Sequence, residues 1–170
     1  AAKKCVVISR YGVGVDNIAV EVATEQGIIV TYLPDYCVDE VSDHVMAFLL
    51  TWNRQIGFYD GIAKSGQWNG VGSPVPLVRL RGQNLGILGF GRIGRSVAMK
   101  AQAFGLQVLV HDPYLPPEDP VPDNVQIVGF SALLTQSDYV TVHTPLNPDT
   151  TGLIGAAELS QMKSNSYLIN

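Results

Sequence analysis

The run Gly89-Phe90-Gly91-Arg92-Ile93-Gly94 has the residue types and spacing that let a strand turn into a helix around a phosphate. In such a turn the first glycine, Gly89, makes the tight bend. The second, Gly91, lets the backbone approach a pyrophosphate, and the third, Gly94, lets helix and strand pack closely. The helix that follows offers unpaired N–H groups and the positive end of its dipole to the anion. Three spaced glycines alone are weak evidence. Here a strand, Leu85 to Leu88, precedes them and a helix from about residue 92 follows, which is the context the chemistry needs. Asp112 stands 18 residues after Gly94, at the end of the next strand. A carboxylate there accepts hydrogen bonds from the adenosine ribose and repels the extra phosphate of NADP. These residues point to a dinucleotide cofactor, NAD(H). The plainer reading of Asp112 is that it opens the Asp112-Pro113 turn.

Other residues invite weaker readings. Gly12-Val13-Gly14 can expose successive backbone N–H groups as a nest for an anion such as a substrate carboxylate, or can be an ordinary turn. Arg10 beside it reads as a solvated charge. His143 ends a strand and has no acidic partner nearby in sequence, so a structural or cofactor-lining role is expected rather than acid catalysis. His44 reads as interfacial, and His111 has no evident catalytic task. Cys5 and Cys37 form no CxxC pair and no zinc spacing, so two free thiols and no metal site are expected.

The elements that must position these residues alternate strand and helix. Cys5 to Ser9 reads as a buried strand, 18–26 as a helix stopped at Gly27, and Gly27 to Thr31 as a second strand. A longer helix is predicted over 38–56, with Val41, Val45, Phe48, Leu49, Trp52 and Ile56 at helical spacing on one face. Residues 66–82, with Gly70, Gly72, Pro74 and Pro76, read as a connector. Then follow strand 85–88, helix 92–104 closed by Gly105, and strand 107–111. The prolines at 113, 116, 117, 120 and 122 predict a stiff loop. Strand 125–128, a short helix capped by Ser131, strand 139–143, helix 156–163 and strand 166–169 complete the series. Such alternation predicts an α/β, doubly wound parallel sheet with Leu85–Leu88 central. A full dinucleotide fold needs more strands than follow Leu85, so the chain reads as truncated.

Bulk properties exclude several classes. The 170 residues are 46% hydrophobic and 15% charged, with formal net charge −4. That composition folds and carries no basic stripe, so no nucleic-acid partner is expected. No run of apolar residues reaches membrane-spanning length, and Ala1-Ala2-Lys3-Lys4-Cys5 lacks a signal peptide's apolar core. A cytoplasmic protein without a membrane partner is the expectation.

Five motifs in order make the sequence recognisable: Arg10 to Asn17, Leu85 to Arg95, His111-Asp112-Pro113-Tyr114, Ser137 to Leu146, and Met162-Lys163 followed by Leu168-Ile169-Asn170. Over essentially its whole length the chain resembles the D-isomer-specific 2-hydroxyacid dehydrogenases, the family that includes 3-phosphoglycerate dehydrogenase and the C-terminal-binding-protein corepressors. Pro34 to Val41 looks closest to a bacterial branch similar to the corepressors. The resemblance implies a Rossmann-type sheet, in part, preceded by the end of a flavodoxin-like substrate domain. Residues 1–34 would end that domain, 35–82 would be an interdomain helix and connector, and 83–170 would begin the NAD-binding domain. Gly12, Val13 and Gly14 would hold the substrate carboxylate, with Val13 also near the nicotinamide. Gly89, Phe90, Gly91, Arg92, Ile93 and Gly94 would hold the pyrophosphate, Asp112 the ribose, and Thr144, Pro145 and Thr150 would line the cofactor. Helix 38–56 would contribute to a homodimer.

Tyr32 departs from the family, which usually has Asn there. The family's catalytic Arg, Glu and His follow the Leu168-Ile169-Asn170 strand, so no catalytic residue is assigned within the chain. The implied activity of the parent is NAD-dependent interconversion of a small 2-keto acid and a D-2-hydroxy acid. The alternative is an NAD(H)-sensing scaffold without turnover. A different Rossmann module, such as a methyltransferase, fits fewer motifs.

Overall fold

A computed structural model describes residues 4–67 and 72–170. Gly70, one of the connector glycines, lies outside the described residues. The chain folds as β1 (Val7–Arg10), α1 (Val20–Glu25), β2 (Ile29–Tyr32), α2 (Val38–Asn53), α3 (Ile56–Lys64), β3 (Asn84–Leu88), α4 (Arg92–Ala103), β4 (Gln107–His111), β5 (Val125–Ile127), α5 (Phe130–Gln136), β6 (Tyr139–Val142), α6 (Ala156–Gln161) and β7 (Tyr167–Ile169). β1 and β2 pair in parallel as a sheet of their own, and the other five strands form a parallel sheet in the order β5-β4-β3-β6-β7.

This order follows from the sequence pattern. β3, β4 and β6 are short and largely apolar, with β-branched residues concentrated in β4 and β6, which suits strands covered on both faces. In β3, Leu85 and Ile87 point into a core with Val97, Ala98 and Ala101 of α4 and Val45, Met46 and Leu49 of α2. Leu88 points to the opposite face and packs with Leu133, Leu134 and Val140. The sheet is therefore doubly wound. The chain adds β4 and β5 on one side of β3, then returns to add β6 and β7 on the other. β3 is central, as the sequence predicts, and a topological switch point lies between β3 and β6, where ligands settle in such sheets.

α2 is held on α4 by a polar seam. Ser42 is buried, and its Oγ lies 2.9 Å from Ser96 Oγ, while Lys100 Nζ donates to Ser42 Oγ and to Asp43 Oδ1, each at 2.6 Å. The Asp43 hydrogen bond raises the Lys100 pKa from its ordinary value and keeps the amine charged.

Several expectations need correction. The helix expected over 38–56 breaks. α2 ends at Asn53, Gln55 adopts a left-handed φ of 53°, and α3 restarts at Ile56. The cause is tertiary: Asn53 Nδ2 donates to Val78 O at 3.1 Å and to Tyr139 Oη at 2.9 Å, and the Gln55 amide closes the turn on Trp52 O. The apolar face is only partly covered. Val45, Met46, Leu49 and Asn53 are inside, while Phe48, Trp52 and Ile56 are exposed. Strand β1 is not buried, because among the described elements only β2 packs extensively against it; Val6, Val7 and Ile29 are all exposed. Ser131 does not cap α5. Gly129 takes that position, and Ser131 Oγ donates to Gln161 Oε1 at 2.8 Å, tying α5 to α6.

Asn53 joins α2, the connector and β6, so we expect Asn53→Leu to lower stability by about 1–3 kcal/mol, the cost of stranding the buried Tyr139 hydroxyl and losing the bond to the Val78 carbonyl. A urea titration measures it; an unchanged midpoint would show that the connector and Tyr139 do not depend on this amide.

Candidate functional site

β3 ends at Leu88 and the chain bends at Gly89, whose φ is +88°. A side chain there would face the His143 carbonyl at 2.8 Å, so this bend runs close against the strand end of β6. Gly89 N–H donates to His111 O at 3.0 Å, and His143 N–H donates to Leu88 O at 2.7 Å. The ends of β3, β4 and β6 are thereby locked together. Gly91 precedes α4, and no described side chain caps that helix. Apart from its immediate neighbours in the chain, no described residue comes within 4 Å of where a Gly91 Cβ would stand. Gly94 is the opposite case: a Cβ there would stand 2.2 Å from the Gly89 carbonyl oxygen. The first glycine bends, the second leaves open space beside an uncapped helix N-terminus, and the third permits contact between helix and turn.

A cleft of about 400 Å³ opens beside this turn, and Gly89, Gly91, Asp112, Thr144, Pro145 and Thr150 all line it. Six residues expected to bind cofactor thus come together from three segments. The other four in the glycine run sit around them differently. Phe90 turns into the core, 2% exposed, and its N–H is already spent on Asp112 Oδ2 at 2.8 Å. Arg92 and Ile93 form the first turn of α4, and Gly94 is buried behind them. Arg92 Nη1 reaches the Pro34 carbonyl at 3.4 Å. Gly12, Val13 and Gly14 belong to the segment after β1, in the smaller sheet, and are not among the residues lining this cleft.

Asp112 performs the turn role and faces the cleft as well. Its Oδ2 accepts the Phe90 N–H and its Oδ1 accepts the Tyr114 N–H at 2.9 Å. Each carboxylate oxygen has two lone pairs, so both retain one for a ribose hydroxyl. The sequence does not show that this residue braces the glycine turn, since the bond crosses between strands.

The loop after β6 is braced by its own side chains. Thr150 N–H donates to Asn147 Oδ1, and Asn147 N–H to Thr150 Oγ1, both at 2.9 Å. This fixes Thr150 against Pro145 at the cleft. His143 also lines the cleft, and its Nε2 lies 2.9 Å from Thr141 Oγ1. Burial lowers its pKa to about 4, which leaves the ring neutral near pH 7 and unsuited to donate a proton as an imidazolium. His111 Nδ1 lies 3.1 Å from Val128 O, so that nitrogen carries the proton.

The smaller turn is partly engaged internally. Gly12 is buried, its N–H donates to Arg10 O at 3.1 Å, and its carbonyl accepts from Leu33 N at 3.2 Å. Exposed Val13 and Gly14 are the part of the turn open to a ligand. Arg10 is not a freely solvated charge: its guanidinium folds over Gly12 and onto the Tyr11 carbonyl, and its Nε is buried. Arg95, which the sequence pattern leaves without a partner, pairs with Asp119 at 2.7 Å, donates to Pro120 O at 2.8 Å and lies 4.6 Å above the Phe90 ring. Among the described residues no cluster of His, Cys, Asp and Glu is arranged to hold a metal, and no helix is long and apolar enough to cross a membrane.

Comparisons with known proteins agree with this fold. Residues 46–170 match the family described as D-isomer specific 2-hydroxyacid dehydrogenase, NAD binding domain. The chain is 39% identical over 170 residues to the D-3-phosphoglycerate dehydrogenase of Methanocaldococcus jannaschii, covering 99% of this chain and 32% of that protein. The D-lactate dehydrogenase of Aquifex aeolicus, solved with NAD and lactic acid, superposes with a TM-score of 0.89 at 32% identity, over 96% of this chain and 49% of that one. An acyclic imino acid reductase solved with NADPH and D-Arg gives 0.86 at 29% identity, over 96% and 52%. The chain thus spans about a third of one relative and half of each of the two others. It belongs to the D-isomer specific 2-hydroxyacid dehydrogenases, and most of it is their NAD-binding domain.

Proposed function

We propose that the protein carrying this chain is an NAD-dependent dehydrogenase of small D-2-hydroxy acids. The observation that carries this reading is the convergence of Gly89, Gly91, Asp112, Thr144, Pro145 and Thr150 on one cleft at the switch point of the sheet. NAD would supply hydride transfer. The chain's own residues bind and orient. Gly91 and the amides at the uncapped start of α4, from Arg92 and Ile93, would hold the pyrophosphate. Asp112 takes the ribose hydroxyls, and Thr144, Pro145 and Thr150 form the wall. His143, neutral, packs without adding charge. The exposed amides of Val13 and Gly14, with the Arg10 guanidinium beside them, suit a substrate carboxylate.

In this reading residues 1–34 end a substrate domain, 35–82 connect the domains and 83–170 belong to the cofactor domain. The exposed Phe48 and Trp52 on α2 and Ile56 on α3 suit a homodimer contact through this region. The net charge of −4 and two unpaired cysteines suit a cytoplasmic enzyme with no nucleic-acid partner.

Turnover tests the reading. The full-length protein should oxidise NADH in the presence of at least one of a panel of 2-keto acids, including glyoxylate, pyruvate and 3-phosphohydroxypyruvate. With a keto acid that gives a chiral product, that product should be the D-isomer. NADH binding without oxidation across the panel would replace this reading with a dinucleotide-sensing scaffold.

A further inference from the structure

Two walls of the cleft are joined by a side-chain hydrogen bond. Tyr114 stands on the turn after β4, and Asp149 on the loop after β6. The Tyr114 hydroxyl donates to Asp149 Oδ2 at 3.1 Å, and both residues line the cleft with Asp112. Each end of this tie is anchored. Tyr114 N–H is held by Asp112 Oδ1, and Asp149 lies between Asn147 and Thr150, whose side chains bond each other's backbone N–H. The tie has little packing value, since Tyr114 is 70% exposed. The bond to Asp149, together with the charge of that carboxylate, raises the Tyr114 pKa, so the hydroxyl keeps its proton to donate.

We propose that Tyr114 and Asp149 form a clasp across the adenosine end of the cleft, which must open for the dinucleotide to leave and so sets its residence time. The proposal rests on the reading of this cleft as the cofactor site. Its ligand is the adenosine half of a dinucleotide, because Asp112, the ribose acceptor of that reading, lines the same cleft and accepts the N–H of Tyr114 itself. The clasp bridges 35 positions of sequence and adds a side-chain tie between two loops whose strand ends are already held side by side.

The test is stopped-flow release of NADH from the full-length protein. Tyr114→Phe and Asp149→Ala each remove the hydrogen bond, and each should speed release about three- to tenfold. Because one bond is lost in either case, the double variant should release no faster than the singles. Asp149→Asn keeps an acceptor and should restore slow release. Affinity for reduced nicotinamide mononucleotide, which has no adenosine, should not change in any variant, and neither should the thermal midpoint. Unchanged NADH release in both single variants, or independent multiplied effects in the double, would overturn the clasp and leave the cofactor reading intact. Failure of the wild-type protein to bind NADH at all would overturn both.

Discussion

Gly94→Ala destabilises the fold by about 1–3 kcal/mol or more and weakens dinucleotide binding, whereas Gly91→Ala leaves the fold unchanged and weakens binding alone. The two glycines stand three residues apart in one turn, yet their surroundings are opposite. A methyl at Gly94 meets the Gly89 carbonyl oxygen at 2.2 Å and Ile87 Cγ2 at 3.3 Å. The first of these is backbone and cannot rotate away, so α4 must lift from β3. Val97, Ala98 and Ala101 of α4 pack directly on that core, and lifting the helix opens it. At Gly91 the φ of −73° suits any residue, and apart from its immediate neighbours in the chain no described residue comes within 4 Å of the new methyl. That methyl projects into space which the proposed function gives to the pyrophosphate. We expect NADH affinity to fall at least tenfold in Gly91→Ala with a urea midpoint like that of wild type. A Gly91→Ala protein that binds NADH normally would mean that the phosphates lie elsewhere.

Acid destabilisation through His143 is the second large effect. The folded pKa is about 4, below the ordinary value of 6.5, because burial penalises the imidazolium. Between pH 6.5 and 4 the unfolded chain binds a proton that the folded chain refuses, so stability falls as pH drops through that window. Above about pH 6.5 the ring is neutral in both states and the penalty vanishes. A tenfold difference in proton affinity between the two states is worth about 1.4 kcal/mol, and with discount for the ring's partial exposure the full loss is roughly 2–3 kcal/mol by about pH 4. His143→Gln removes the titrating group. Comparing urea unfolding of the two proteins at about pH 4.5 and about pH 7 isolates this contribution, and the variant should lose less stability on acidification. Equal losses would place the His143 imidazole in contact with solvent.

How much of this was legible in the sequence depended on the range of the forces involved. The turn at Gly89 to Gly94, the central place of β3 and the position of Asp112 follow from local spacing and from alternation of strand and helix. All three hold in the structure. Features set by distant partners were not legible. The break between α2 and α3 depends on Asn53 bonding to residues 25 and 86 positions away. The second task of Asp112, bracing Phe90 N–H, needs two strand ends brought side by side. Arg95 has no partner in sequence until the proline-rich loop brings Asp119 back to it. The Tyr114–Asp149 tie joins loops that sequence treats as unrelated. The apolar residues of α2 have helical spacing, but periodicity alone did not decide which of two neighbouring faces the sheet would cover.

Cofactor choice tests the central claim most directly. Asp112 faces the cleft that the ribose would enter, Asp149 adds a second carboxylate to its lining, and among the described residues no lysine or arginine lines it. The two arginines close enough in sequence to greet a 2′-phosphate are committed elsewhere, Arg92 toward Pro34 and Arg95 to Asp119 and Pro120. A carboxylate and a phosphate charge about 4 Å apart repel by about 1 kcal/mol in water and about 4 kcal/mol at an effective dielectric near 20. For a partly open site the net is roughly 1–3 kcal/mol, or about tenfold to a hundredfold in affinity. The measurement is titration of the full-length protein with NADH and with NADPH at one ionic strength. Saturable NADH binding, with NADPH weaker by at least about tenfold, is the predicted result. Equal affinities, or tighter NADPH, would contradict the account and reduce Asp112 to a turn residue.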